Sequence, residues 1–206
     1  MKDRGAEPGA ERRGTIAILI LAGGEATRLP GKLALEVGEV PMLVHVFRNV
    51  SPGRATWLSV KGPLPDAIER AIDAPRVVDR WRLRGPLSGM ISAMSEMDAD
   101  WVFALAGDSP LIEARFVDEL AAHVSDDVDA VVPVHEDERR RIEPLAALYR
   151  REAFVREGLP VLERGDGALR LVLDRLRTRF VPIRDERPFV NVNTPDDYAK
   201  LREALR

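Results

Sequence analysis

Three segments of this chain set charged or amide side chains beside glycine, where a ligand backbone or phosphate could be held. The first reads Leu21-Ala22-Gly23-Gly24-Glu25-Ala26-Thr27-Arg28-Leu29-Pro30-Gly31-Lys32 and directly follows an apolar run. Paired glycines leaving a buried strand let the main chain approach a ligand and offer its N–H groups to phosphate oxygens. Arg28 and Lys32 add positive charge, so a triphosphate is the natural guest. A tight turn with two exposed cations is the competing explanation. The second segment is Leu105-Ala106-Gly107-Asp108-Ser109-Pro110. A carboxylate ending a buried strand suits Mg²⁺, which takes one or two carboxylates plus phosphate oxygens. Asp108 could equally be a turn residue, since Gly, Asp, Ser and Pro all favour turns. The third is Val190-Asn191-Val192-Asn193-Thr194-Pro195-Asp196-Asp197. Thr194, Pro195 and the two acids read as a helix start. Asn191 and Asn193, on one face of a strand, could read a polar ligand or bond neighbouring backbone.

Two further features accompany these. Asp79 follows the short run Arg76-Val77-Val78 and could accept from an amino or imino group of a base. Gly85-Pro86-Leu87-Ser88-Gly89 then opens a helix with little bulk, a surface for a flat ring. Loop polarity and helix initiation account for both equally well in isolation.

Positioning these residues requires strands whose carboxyl ends meet. Thr15 to Ala22 is a continuous apolar run, as expected of a strand buried on both faces. Further strands are predicted at Ala55–Val60, Arg76–Val78, Trp101–Ala106, Asp129–Val134, Leu145–Tyr149, Phe180–Ile183 and Phe189–Val192. Helices are predicted over Pro41–Val50, Pro65–Ile72, Gly85–Met97, Glu113–Val124, Arg151–Leu162, Ala168–Leu176 and Pro195–Leu205. Helices between strands imply crossovers, hence a mostly parallel sheet covered on both faces, with ligands outside the strands' carboxyl ends. Residues 1–14 mix charge, Gly and Pro without period and read as a disordered tail; residues 15–206 read as one domain.

Composition narrows the function classes. The chain has 206 residues, 45% apolar and 32% charged, enough for one core. Its formal net charge of −3 gives no basic excess for nucleic acid or an anionic membrane. No apolar run nears the roughly 18 residues of a membrane span. The first residues lack the apolar stretch of a secretory signal, so a cytoplasmic protein is expected. With no cysteine, thiolate zinc sites and cysteine nucleophiles are excluded. His45, His123 and His135 are scattered without metal-ligand spacing, and Arg139-Arg140-Arg141 reads as a solvated loop. Neither a Walker loop nor GxGxxG nor a GxSxG elbow is present. Lysines number only four against 27 arginines, which gives Lys32 added weight.

LAGG followed by Arg and Lys, then GPLSG, GDSP and NVNTPDD, in that order, resembles the molybdenum cofactor guanylyltransferases, part of the MobA-like nucleotidyltransferases. The likeness spans about Ile16 to the C-terminus. It implies a Rossmann-like three-layer α/β/α fold and Mg²⁺-dependent transfer of GMP from GTP to the phosphate of molybdopterin. It further implies that Leu21, Ala22, Gly23 and Gly24 bind GTP through backbone, with Arg28 and Lys32 on the phosphates. By the same likeness Asp79 and Gly85 meet guanine, Asp108 holds Mg²⁺, and Asn191 and Asn193 meet the molybdopterin side. Acceptor molybdoenzymes or their chaperones are the implied protein partners. The chain departs from the family in carrying Ser59 where an asparagine is usual. Its Arg28–Lys32 loop is also shorter and lacks an aspartate. Two alternatives stay open. One is nucleotidyl transfer to another phosphorylated acceptor (cobinamide phosphate, phospholactate or a sugar phosphate). The other is a non-catalytic nucleotide-binding adaptor, against which Lys32 and Asp108 together argue.

Overall fold

The computed structural model describes residues 14–23, 28–81, 83, 85–137 and 139–205. The expected tail at 1–14 therefore lies almost wholly outside the described residues, as does Gly24. The framework is a seven-stranded sheet. Its strands are β1 (Ile16–Leu21), β4 (Thr56–Val60), β5 (Arg76–Val78), β6 (Trp101–Ala106), β7 (Ala130–His135), β8 (Ala146–Arg150) and β9 (Thr178–Ile183). Their spatial order is β5-β4-β1-β6-β8-β7-β9. All neighbours are parallel except around β8, which runs against β6 and β7. The chain steps outward from β1 to β4 and β5, then returns to β6 on the other side of β1. That reversal opens a crevice at the carboxyl ends of β1 and β6.

Alternation along β1 shows why its run is apolar throughout. Ala17 and Leu19 enter one core, with α3 (Leu87–Met94), α5 (Arg151–Glu163) and α6 (Leu169–Leu173). Ile18 and Ile20 enter the other, with α1 (Met42–Val50), α2 (Asp66–Ala71) and α4 (Ala114–Ala121). Two apolar faces on one sheet, each roofed by helices, give the three layers. All eight residues of α3 are buried, because it is pressed between the sheet and α5. Its sequence therefore reads as apolar all round rather than as a stripe.

Three elements differ from expectation. A short ribbon of β2 (Glu36–Val37) and β3 (Val40–Pro41) precedes α1. At two residues per strand it is too brief for a periodic signal. The predicted strand at Phe189–Val192 does not form. Arg187–Phe189 turns as a 3₁₀ helix around Pro188, which has no N–H for a ladder, and Val192 N–H donates instead to the Asp108 carbonyl at 3.0 Å. The helix predicted from Gly85 begins at Leu87, because Gly85 sits at φ 101°. The last helix, α7 (Pro195–Ala204), starts as expected. Thr194 Oγ1 accepts from Asp197 N–H at 3.2 Å while the Asp197 carboxylate accepts from Thr194 N–H at 2.8 Å. Val37, Met42, Val192 and Leu201 form a small third core that joins the ribbon, α1 and α7.

The lead-ins to β7 and β9 are joined by charge. Arg177 donates from Nε and Nη2 to Asp129 at 2.7 and 2.8 Å, a two-pronged pairing. Bonding to Arg177 holds the Asp129 carboxyl below its usual pKa. A depressed folded pKa means this contribution is present above the unfolded value and is lost as pH falls through the folded one. Asp129→Asn should therefore lower Tm by about 2–4 °C at pH 7. The variant's Tm should also fall less steeply than the parent's below about pH 4; thermal unfolding followed from pH 7 to pH 3 checks both.

Candidate active site

A cleft of about 680 Å³ lies along the carboxyl ends of β5, β4, β1 and β6 and continues over the start of β8. The first of the three sequence segments leaves β1 there. Its main chain is largely committed to neighbouring strands, because Ala22 N–H donates to Ser59 O at 2.8 Å and Leu21 O accepts from Gly107 N–H at 2.9 Å. Leu21 and Gly23 line the cleft, whereas Ala22 is buried beside it. Space at Gly23 is tight: a Cβ there would stand 3.0 Å from Lys61 Cγ and 3.2 Å from Lys61 N. Arg28 is exposed and does not line the cleft.

Lys32 is where the separated motifs meet. It opens a 3₁₀ turn, Lys32–Ala34, after Gly31 at φ 70°, and its Nζ donates to Asp108 Oδ2 and, at 2.8 Å, to Asn193 Oδ1. The Lys32 and Asp108 side chains are each only 13% exposed. Ser109 Oγ donates to Asn191 Oδ1 at 2.6 Å, which with the Val192–Asp108 backbone bond fastens the third segment to the second. Asn191 and Asn193 thus both face the cleft, on either side of the buried Val192, although no strand holds them. Gly107 permits this crowding, since a Cβ there would lie 3.0 Å from Leu43 Cδ1 and 3.1 Å from Leu21 O.

The far end of the cleft is built on β5. Asp79 accepts from Trp81 N–H at 3.0 Å and from Ser88 Oγ at 2.6 Å, so its carboxylate is held in one orientation with lone pairs remaining. Gly85 and Gly89 line the same end. A Cβ at Gly85 would stand 2.8 Å from Gly167 O, and one at Gly89 2.6 Å from Ser59 Oγ. Ser59 itself is buried in the cleft wall.

Several lining residues have no role assigned from the sequence: Lys61, Glu143, Phe189 and, inside one of the three glycine-flanked segments, Ser109. Ser88, which orients Asp79, enters the sequence reading only as part of the Gly85–Gly89 helix opening. Nothing in spacing marks a serine nine residues from its partner, and a lone lysine after a strand carries no pattern. His135, one of the three scattered histidines, ends β7, is 3% exposed and contacts Glu143 and Glu186. His45 sits at the edge of the core, where burial pushes its pKa down against a bond to the Pro110 carbonyl.

Among the described residues no three His, Cys, Asp or Glu side chains converge as a protein-only metal cage. The donor chemistry here fits a hard, water-rich cation: one carboxylate, Asp108, has Oδ1 uncommitted among the described bonds and faces space for phosphate oxygens.

Comparison with known proteins identifies the family and the fold. Residues 18–180 match the model of the MobA-like NTP transferase domain. A Vibrio campbellii protein named molybdenum cofactor guanylyltransferase is 30% identical over 186 residues, covering 89% of this chain and 93% of its own. A Bacillus mycoides protein, named a probable molybdenum cofactor guanylyltransferase, is 25% identical over 197 residues, 91% and 96% of the two chains. In fold, the crystal structure of molybdopterin-guanine dinucleotide biosynthesis protein A from Archaeoglobus fulgidus superposes with a TM-score of 0.77 at 21% identity, covering 91% of this chain and 97% of that one. The chain belongs to the MobA-like NTP transferase family and is a nucleotidyltransferase.

Proposed function

We propose that this enzyme transfers the guanylyl group of GTP to the terminal phosphate of molybdopterin and releases pyrophosphate. The observation carrying this reading is the meeting of Lys32, Asp108 and Asn193 at the switch point of the sheet. The names borne by relatives that align over nearly the whole chain support the choice of donor and acceptor.

In the reaction, an oxygen of the acceptor phosphate attacks the α-phosphorus of GTP. A new P–O bond forms as the bond from α-phosphorus to the α–β bridging oxygen breaks, and pyrophosphate departs with that electron pair. A phosphate monoester is already an anionic nucleophile, so the chain needs no strong general base. Its work is to position both substrates and to offset growing charge. Asp108 would hold Mg²⁺, which supplies charge neutralisation on the phosphate oxygens. Lys32, released from Asp108, reaches those oxygens with its ammonium. Gly23 offers its amide, and Arg28, although outside the cleft lining, adds positive charge four positions before Lys32. Asp79, fixed by Ser88, accepts from the ring N–H and amino group of guanine, with Gly85 and Gly89 clearing room for the ring. Asn191 and Asn193 face the acceptor. A cytoplasmic setting, with molybdoenzymes or their chaperones receiving the product, completes the reading.

Pyrophosphate release with each nucleoside triphosphate, with and without Mg²⁺ and molybdopterin, tests it: release should require GTP, the metal and the acceptor together. Release that is independent of molybdopterin, or faster with another phosphorylated acceptor, overturns the reading. Asp108→Ala should reduce turnover roughly a hundredfold or more while the far-UV spectrum is retained; near-parental turnover removes Asp108 from the chemistry. Asp79→Ala should narrow the preference for GTP over ATP by roughly tenfold or more, read from the ratio of kcat/KM values.

A further inference from the structure

The cleft is longer than a nucleotide site on β5 to β6 requires. Neighbouring strands lie about 4.8 Å apart, so three spacings, about 14 Å, separate the strand bearing Asp79 from the strand bearing Asp108. That distance suits a nucleoside and its phosphates. Beyond Asp108 the cleft runs on over β8, where Glu143, Pro144, Leu145 and Phe189 line it. Glu143 is anchored with unusual completeness. Its N–H donates to Pro133 O at 2.9 Å and its carbonyl accepts from Ala146 N–H at 3.2 Å. Its Oε1 lies 2.7 Å from His135 Nε2, and the other ring nitrogen of His135 lies 3.2 Å from Glu186 Oε1. The Phe189 ring meets the imidazole edge-on, with centroids 5.5 Å apart. His135 thereby ties the loop entering β8 to the loop leaving β9.

The chemistry of this end differs from that around Lys32. An ionised carboxylate accepts hydrogen bonds and repels phosphate, so this part of the cleft is not a second anion pocket. Beside it lie the apolar surfaces of Pro144, Leu145 and Phe189. A carboxylate at the margin of an apolar slot fits a planar heterocycle with an N–H and amino donor edge. We propose that Glu143, positioned by His135, is a specificity-determining residue that accepts from the 2-amino and ring N–H groups of a 2-amino-4-oxopteridine acceptor. This deepens the guanylyl-transfer reading and rests on it for the identity of the acceptor. His135 touches no substrate and acts through Glu143.

The test uses the full chain without GTP or turnover. The probes are the phosphate monoester of 6-hydroxymethylpterin and its 2,4-dioxo counterpart, which lacks the amino group, with binding read by pteridine fluorescence. The parent protein should bind the amino compound at least roughly tenfold more tightly, the loss expected when a charged acceptor is left unpaired. In Glu143→Gln that preference should collapse. In His135→Gln it should weaken, and in a separate turnover assay with GTP the acceptor KM should rise while the GTP KM does not follow. Equal binding of the two probes by the parent protein, no binding of either, or an unchanged preference in Glu143→Gln overturns the proposal. Failure of guanylyl transfer to molybdopterin alongside a preserved probe preference would instead count against the reading of the reaction and leave the assignment of Glu143 standing.

Discussion

The contact on which the site depends is the one Lys32 makes with Asp108 and Asn193. It joins three stretches of chain separated by 76 and 161 positions. With both members of the ion pair largely shielded, attraction is stronger than on an open surface, and removing either leaves the other's charge poorly solvated. The surroundings are shaped to allow it. Gly107 lets the loop after β6 press against the exit of β1, and Gly31 turns the chain so that Lys32 faces inward. The small core around Val192, Met42 and Leu201 keeps the C-terminal segment in register with the first loop. Phe189, Asn191 and Asn193 are thus part of the cleft wall, and Leu201 of α7 anchors the segment that follows them.

Much of the framework was legible because the physics behind it is local. A strand buried on both faces must be apolar at every position, and β1 and β6 are. A Thr-Pro-Asp-Asp run can scarcely avoid starting a helix, and α7 starts there. The three glycine-flanked segments were visible because strands of a parallel sheet deliver their carboxyl ends to one edge. That rule alone predicts that Gly23, Asp79 and Asp108 should lie along a common line.

What could not be read depends on partners remote in sequence. The ribbon of β2 and β3 is too short to have a period. Val192 looked like part of a strand because its alternation with Asn191 and Asn193 is real, yet a single backbone bond to Asp108 produces the same alternation without a ladder. Ala22 falls within the glycine segment, but its amide is consumed by Ser59. His135 carried no local signal because the glutamates that enclose it lie across the β7–β8 hairpin, at Glu143, and 51 positions on in the loop after β9, at Glu186. Ser88 illustrates the same limit at the other end of the cleft: Asp79 stands out at the end of a strand, but nothing marks the serine nine positions on that holds its carboxylate.

The reversed strand β8 gives the cleft one end that is lined by a hairpin rather than by a crossover. In a purely parallel sheet every connection at the ligand-bearing edge leads outward from a strand into a helix, so reshaping one loop drags a crossover with it. Because β8 runs the other way, the stretch between β7 and β8 is a hairpin at that edge, and its residues Glu143 and Pro144 line the cleft. Such a hairpin can be lengthened, shortened or recharged without disturbing any helix or the strands bearing Gly23, Asp79 and Asp108. The architecture therefore lets one end of the cleft be reshaped by editing one excursion of the chain, while the strands on which the rest of the cleft is built stay fixed.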